Sequence, residues 1–217
     1  FRDSLIFGLA KLADYRDTDT GTHLERIADY VELLARQLAI TTAEIDEAYI
    51  RRLRVASSMH DIGKVGVEDA VLLKPGRLTD SERARMQRHP VMGADTLLAI
   101  RTKLGHDELV EMAIVVTLEH HERWDGNGYP LGLAGEQIEL PARIVALADV
   151  YDALTSKRVY KAAMTHEDAA AIIVKERGTQ FDPMVVDAFV ACAAKFAEAR
   201  SRLQPPEEAT AVTKVAA

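Results

Sequence analysis

Apolar residues recur along this chain at intervals of three and four. Leu24, Ile27, Ala28, Val31, Leu34, Ala35 and Leu38 form one such stripe, the pattern of an amphipathic helix packed on a core. Leu53, Ala56 and Met59 or His60 mark a second helix that breaks near Gly63 and Gly66, and Leu109, Met112, Ala113 and Val116 mark another that runs into His120. Leu5, Leu9 and Leu12 give a helix-like run at the start. Alternation of period two is hard to find, so the pattern predicts an all-α fold. Thr79 with Glu82 has capping-box spacing, and Thr165 with Asp168 resembles it. Pro141 and Pro183 suit a first helical turn, and Gly178 reads as a helix stop. Residues 63–79 and 123–141 carry no stripe, and the second stretch holds Gly126, Gly128, Gly132, Gly135, Pro130 and Pro141, which makes it a candidate functional loop. The expectation is one domain over residues 1–203, with 1–18 as a linker helix, followed by a flexible tail over 204–217 that begins Gln204, Pro205, Pro206, Glu207.

The chain has 217 residues, 48% of them hydrophobic, enough to bury one good core. A net charge of -7 argues against holding a nucleic-acid polymer, which needs broad basic patches. The single cysteine, Cys192, excludes an internal disulfide and a multi-cysteine zinc site, and its apolar surroundings suit a small buried thiol. Met59, Met86, Met92 and Met112 fall on apolar stripes as core filler. No apolar run approaches the roughly 18 residues of a membrane span, and no signal peptide is present, so a cytoplasmic location is expected. The first residue, Phe1, points to a piece of a longer protein.

Five of the seven histidines, His23, His60, His89, His120 and His121, lie at or near predicted helix ends. One such histidine is usually an ordinary core or surface residue. Together with Asp61 and Asp149 they are harder to dismiss, because they offer several imidazoles and carboxylates at once. Adjacent residues on a helix diverge by about 100°, so His60 and Asp61 could serve two ions only across a shared pocket, with Asp61 as a bridge. At the end of its helix the His120-His121 pair can converge on one ion as the chain frays into the glycine loop. Imidazole and carboxylate donors without thiolates suit Fe, Mn, Zn or Ni rather than a zinc finger. His106, at a helix start, and His166, after an N-cap, carry no assigned role.

These residues also carry a resemblance. His60-Asp61-Ile62-Gly63-Lys64 resembles the HD motif of the HD phosphohydrolases, and the run His120-His121-Glu122-Arg123-Trp124-Asp125-Gly126-Asn127-Gly128-Tyr129-Pro130 resembles the signature of HD-GYP domains. The match extends from Arg16 through His23, over Ala148 to Leu154, to Phe181-Asp182-Pro183. It implies an HD-superfamily helical bundle with a GYP-containing loop, a metal centre at the bottom of a cleft, and hydrolysis of cyclic di-GMP to linear pGpG or onward to GMP. By the same matching the metal ligands are His60, Asp61, His89, His120, His121 and Asp149. The implied cofactor is a dinuclear centre of Fe or Mn, with Ni or Zn also compatible. His23 matches the histidine of a third metal site, but Asp19 stands where glutamate is expected, one methylene shorter, and this argues against a third ion. Lys64, Asp152, Arg158 and Lys161 match the substrate-contacting set, and Tyr129 would flank the guanine pocket. His60, Asp61 and Lys64 are then the catalytic set, with cations activating water for in-line attack on phosphorus.

Two other classes compete with this reading. A cyclic-dinucleotide sensor or interaction module would keep the fold with degenerate ligands, of which Asp19 is the single example, and a general HD-type nucleotide phosphohydrolase would lack the GYP string. The resemblance further implies an upstream receiver or sensory domain of a two-component response regulator, a homodimer through the first helix, and a GGDEF-type or other signalling partner at the GYP loop.

Overall fold

A computed structural model describes residues 2–16, 22–156 and 163–203. Their α-helices are α1 (Arg2–Asp14), α2 (His23–Leu38), α3 (Glu47–Ser57), α4 (Asp69–Leu72), α5 (Asp80–Met86), α6 (His89–Leu104), α7 (Glu108–Glu119), α8 (Leu140–Thr155), α9 (His166–Lys175) and α10 (Pro183–Leu203). Short 3-10 helices form at Ile62–Gly66 and Gly135–Gln137. Among the described residues there is no strand, only an isolated bridge between Arg177 and Phe181. The all-α expectation therefore holds.

The stripe read from Leu24 to Leu38 is buried along its whole length. It makes α2 the central helix, packed against α10, α3 and α8, while α7 bridges α3, α6 and α8. Tyr30 stacks on Phe196 with ring centroids 4.8 Å apart and meets Tyr151 edge-on at 5.0 Å. Burial of this face drives the fold, since propensity alone would not hold helices of this length. Cys192 is buried in α10, where the helical dihedrals are interrupted at that residue.

The punctuation residues act as their chemistry dictates. Thr79 and Glu82 form a reciprocal capping box at α5, whereas at α9 only half of it forms, the Thr165 side chain accepting from the Asp168 N–H. Pro141 and Pro183 sit in first turns, and Gly178 takes φ 79° past α9. Three boundaries differ from expectation. The second helix stops at Ser57, because the Ser57 and Ser58 hydroxyls bond back to the carbonyls of Arg54 and Val55 and the chain tightens into i to i+3 turns. His106 precedes α7 rather than opening it, as Asp107 caps the Leu109 and Val110 N–H groups. Residues 63–79 are less irregular than their lack of a stripe suggests, holding a 3-10 helix and α4.

Along α1, Leu5, Leu9 and Leu12 are 54%, 53% and 65% exposed, while Ala10 and Ala13 face the core. The tail from residue 204 lies outside the described residues. None of the described helices is long and apolar enough to cross a membrane.

Candidate metal centre

Because α3 ends early, His60 and Asp61 occupy a turn rather than a helix, and the approximately 100° divergence of helical neighbours does not apply to them. The turn lets both point inward. From the other side α6 begins with His89, and α7 ends at Glu119 so that His120 and His121 follow in the turn beyond it. The helix ends before the imidazole pair, which sits in an ordered turn.

Two backbones approach closely to bring these turns together. A Cβ built on Gly63 would lie 1.9 Å from the His89 carbonyl oxygen and 2.5 Å from the Gly93 nitrogen. Only glycine permits the 3-10 helix Ile62–Gly66 to seat this tightly on α6. Thr117 fastens the third side by donating to the Met59 carbonyl at 2.9 Å.

One ligand atom from each of Asp61, His89, His120 and His121 falls within 4.8 Å of the others, and so does one from each of His23, His60 and Asp61. Asp61 belongs to both sets. Its Oδ1 lies 3.1 Å from His89 Nε2 and 3.7 Å from His120 Nε2, and its Oδ2 lies 3.3 Å from His60 Nε2. Asp149, on α8, places Oδ1 3.9 Å from His60 Nε2. Lys64 Nζ sits 2.7 Å from Asp61 Oδ2, one turn along the 3-10 helix.

The orientation of the rings decides what this cluster can hold. His60 Nδ1 bonds the Ser57 carbonyl at 2.8 Å, His89 Nδ1 the Met86 carbonyl at 2.8 Å, and His120 Nδ1 the Val116 and Thr117 carbonyls at 3.1 Å each. A backbone carbonyl only accepts, so each Nδ1 carries a proton and each Nε2 faces the centre, free to act as a ligand wherever it carries no proton. Those three Nε2 atoms and Asp61 Oδ1 are buried without a hydrogen-bond partner. Buried polar atoms are rarely left so, and imidazole nitrogens gathered on both sides of one carboxylate are donors of the kind divalent cations take. The residues fit a metal.

Electrostatics agree with this. Burial opposes the charged form of Asp61, yet the Lys64 and His60 charges outweigh it and hold the carboxyl well below its usual range. Burial pushes His121 well below the ordinary histidine value, aided by His120 and His89, and pushes His120 down too. Both are therefore neutral imidazoles at pH 7. At His60 burial works downward, but Asp61 and Asp149 outweigh it and raise the pKa to about 9. A cation there displaces a proton.

Tyr129 stacks on His121 with centroids 4.7 Å apart and 27° between the planes, and its N–H donates to the His121 carbonyl. The loop that carries it is fastened by Glu122. Its buried carboxylate accepts from the N–H groups of Leu131 at 2.6 Å, Gly132 at 3.2 Å and Leu133 at 3.0 Å. Gly126 takes a positive φ of 78°. Gly128 serves otherwise, since a Cβ there would lie 2.4 Å from the Arg123 nitrogen. Its close approach is to the loop's own backbone. Trp124 packs beneath the Arg143 guanidinium, which lies 5.7 Å from the ring centroid.

Asp152, expected as a substrate contact, lies deep beside α2. Asp152 is 1% exposed, and its oxygens accept from Arg26 Nε at 2.5 Å, Arg26 Nη2 at 2.8 Å and His23 Nδ1 at 2.8 Å. It lies against His23. Asp19, Arg158 and Lys161 lie outside the described residues. The sequence reading missed Arg26 and Glu122 as functional residues. Arg26 left one signal, an arginine at i+3 from a candidate ligand on an amphipathic helix; Glu122 was visible only as a letter of the signature.

A family model described as "HD domain" matches residues 9–185. The chain is 48% identical over 198 residues to a cyclic di-GMP phosphodiesterase of Vibrio cholerae serotype O1, covering 90% of this chain and 40% of that protein. It is 43% identical over 182 residues to the cyclic di-GMP phosphodiesterase response regulator RpfG of Xanthomonas campestris pv. campestris, covering 84% and 46%. A crystal structure of a cyclic GMP-AMP specific phosphodiesterase of V. cholerae superposes with a TM-score of 0.65 at 21% identity, over 94% of this chain and 51% of that one, and shows the shared fold. The chain thus spans less than half the length of these curated relatives. By the family match over most of its length, the HD pair at the centre and the GYP loop beside it, this chain belongs to the HD domain family, in its HD-GYP branch.

Proposed function

We propose that this chain is a metal-dependent phosphodiesterase that hydrolyses cyclic di-GMP to linear pGpG, with GMP as the product of a second cleavage. The observation that carries the reading is the ring of buried, unpartnered Nε2 atoms of His60, His89 and His120 around Asp61, each fixed by a carbonyl behind it. Similarity at 43–48% identity to cyclic di-GMP phosphodiesterases supports the substrate class. Metal would be held in this reading by His60, Asp61, His89, His120, His121 and Asp149, Asp61 belonging to both groups of ligand atoms and His23 to the His60 group. Iron or manganese suits these donors. Bound divalent cations would supply Lewis acidity and a water acidic enough to attack near neutral pH.

The chain's own residues do the rest. The carbonyls behind the imidazoles keep the Nε2 atoms aimed inward before any ion arrives. Lys64, now paired with Asp61, is the cation nearest the centre for a phosphate oxygen to meet. Tyr129, fixed on His121, offers a half-buried ring beside the site for a base to rest on. Arg158 and Lys161 are proposed as further substrate contacts.

The same reading carries an upstream regulatory module of the two-component kind, a homodimer along the exposed leucines of α1, a signalling partner at the GYP loop, and a cytoplasmic location. A light-scattering mass of one chain would overturn the dimer. The function is tested by chromatography of products from cyclic di-GMP and from the mixed guanine-adenine dinucleotide, using protein purified anaerobically, with His60→Ala and Asp61→Ala as controls. Metal-dependent formation of pGpG that both controls lose is expected. Tight binding of cyclic di-GMP to fully metallated protein without turnover would replace the enzyme with a sensor.

A further inference from the structure

Behind His23 lies an ion pair that the metal reading does not use. Arg26 is 2% exposed and Asp152 is 1% exposed. Among the contacts of the Arg26 guanidinium are Nε on Asp152 Oδ1 at 2.5 Å, Nη2 on Asp152 Oδ2 at 2.8 Å, and Nη1 on Thr22 Oγ1 at 2.6 Å. Asp152 Oδ2 also meets His23 Nδ1 at 2.8 Å and the Ser156 hydroxyl at 3.4 Å. On its other side the His23 ring packs edge-on to His60 with centroids 5.5 Å apart. One nitrogen of that ring belongs to the group with His60 and Asp61.

Burying an arginine-carboxylate pair is at best close to neutral for stability, because desolvation consumes most of the Coulombic gain. Its presence against a ligand-bearing histidine therefore calls for another explanation. A carboxylate bonded to Nδ1 fixes the tautomer and the ring plane of a histidine, leaving Nε2 as the donor, and such outer partners tune metal sites. Asp152 could not do this alone, since a lone carboxylate on Ser156 and His23 is free to rotate about its χ2 bond. The two-pronged Arg26 pins both of its oxygens, a geometry that lysine cannot reproduce.

We propose that Arg26 is a positioning residue: through the bidentate pair with Asp152 it fixes His23, and so completes the His23, His60, Asp61 side of the centre. This rests on the metal reading above and deepens it. The pair also ties α2 to α8, so the test separates positioning from bolting.

Isothermal titration of Mn2+ into metal-free protein is run on wild type, Arg26→Lys, His23→Ala and the double variant, with thermal unfolding of each in parallel. Arg26→Lys is expected to weaken Mn2+ binding by about ten- to a hundredfold in the wild-type background and to change nothing further in the His23→Ala background, the signature of two residues acting as one. Arg26→Gln, which keeps a planar donor without the charge, is expected to give the same pattern and serves where the lysine variant folds poorly. Equal losses in both backgrounds, or a lowered melting temperature with unchanged Mn2+ affinity, would overturn the proposal and leave Arg26 a bolt between helices. A wild-type protein that takes up no Mn2+ would instead sink the metal reading itself.

Discussion

Substitution of Gly63 by alanine puts a single methyl group where the structure has least room. That carbon would lie 1.9 Å from the His89 carbonyl oxygen, 2.5 Å from the Gly93 nitrogen and 2.9 Å from the His89 carbonyl carbon, and Cβ atoms do not approach such neighbours inside about 3.0 Å. All three contacts are backbone, so no side chain can swing aside, and the 3-10 helix must withdraw from α6 by roughly 1 Å. The movement parts the ligands, because Asp61 sits two residues before Gly63 on one side of the gap and His89 begins the helix on the other. Overpacking of this kind costs about 1–3 kcal/mol, which for a chain of this size lowers the melting temperature by roughly 2–12 °C. The larger effect falls on catalysis, where a displacement of about 1 Å can cost on the order of a hundredfold. The assay is kcat/KM for cyclic di-GMP with Mn2+ affinity and melting temperature measured on the same preparation. A Gly63→Ala protein that folds with wild-type Mn2+ affinity and turnover would refute the claim that this contact sets the ligand spacing.

Other outcomes follow from the same structure. Glu122→Gln replaces an oxygen that accepts from Leu131, Gly132 or Leu133 by an amide that can only donate there, so the loop should loosen, with about 1–3 kcal/mol lost and KM raised more than kcat is lowered; hydrogen exchange at residues 131–133 reads the loop directly. Asp182→Ala removes a buried carboxylate 2.6 Å from the part-buried Arg143 guanidinium, and thermal unfolding should show a loss of about 1–3 kcal/mol with the Mn2+ affinity of the folded protein intact. Burial pushes the Cys192 thiol up to about 11, above the unfolded value near 8.5. Its contribution to stability is thus fully present below about pH 8.5 and is lost as the pH rises toward 11. Cys192→Ala should remove that alkaline loss from a plot of unfolding free energy against pH, and native protein at pH 8 should resist a thiol reagent until it unfolds.

The helices were legible because the buried stripe of α2 and the caps at Thr79, Thr165, Pro141 and Pro183 are local signals. The HD pair and the GYP string were legible as motifs. The stop of α3 was not, because two serines turning back on their own helix look in sequence like ordinary helix residues. Glycine at 63 was visible only as a break, since its reason is a neighbour twenty-six residues away, at His89. The partners of Asp152 were hidden for the same cause: the motif gives its spacing from Asp149, and Arg26 and His23, which bond it, lie on another helix.

The most direct test of the centre is an anomalous-difference map from crystals of this chain grown anaerobically with manganese. The account predicts anomalous density within coordination distance of the Nε2 atoms of His60, His89 and His120, with Asp61 shared between positions. Clean density for the same four residues with no anomalous signal among them, in protein that still hydrolyses cyclic di-GMP, would contradict it.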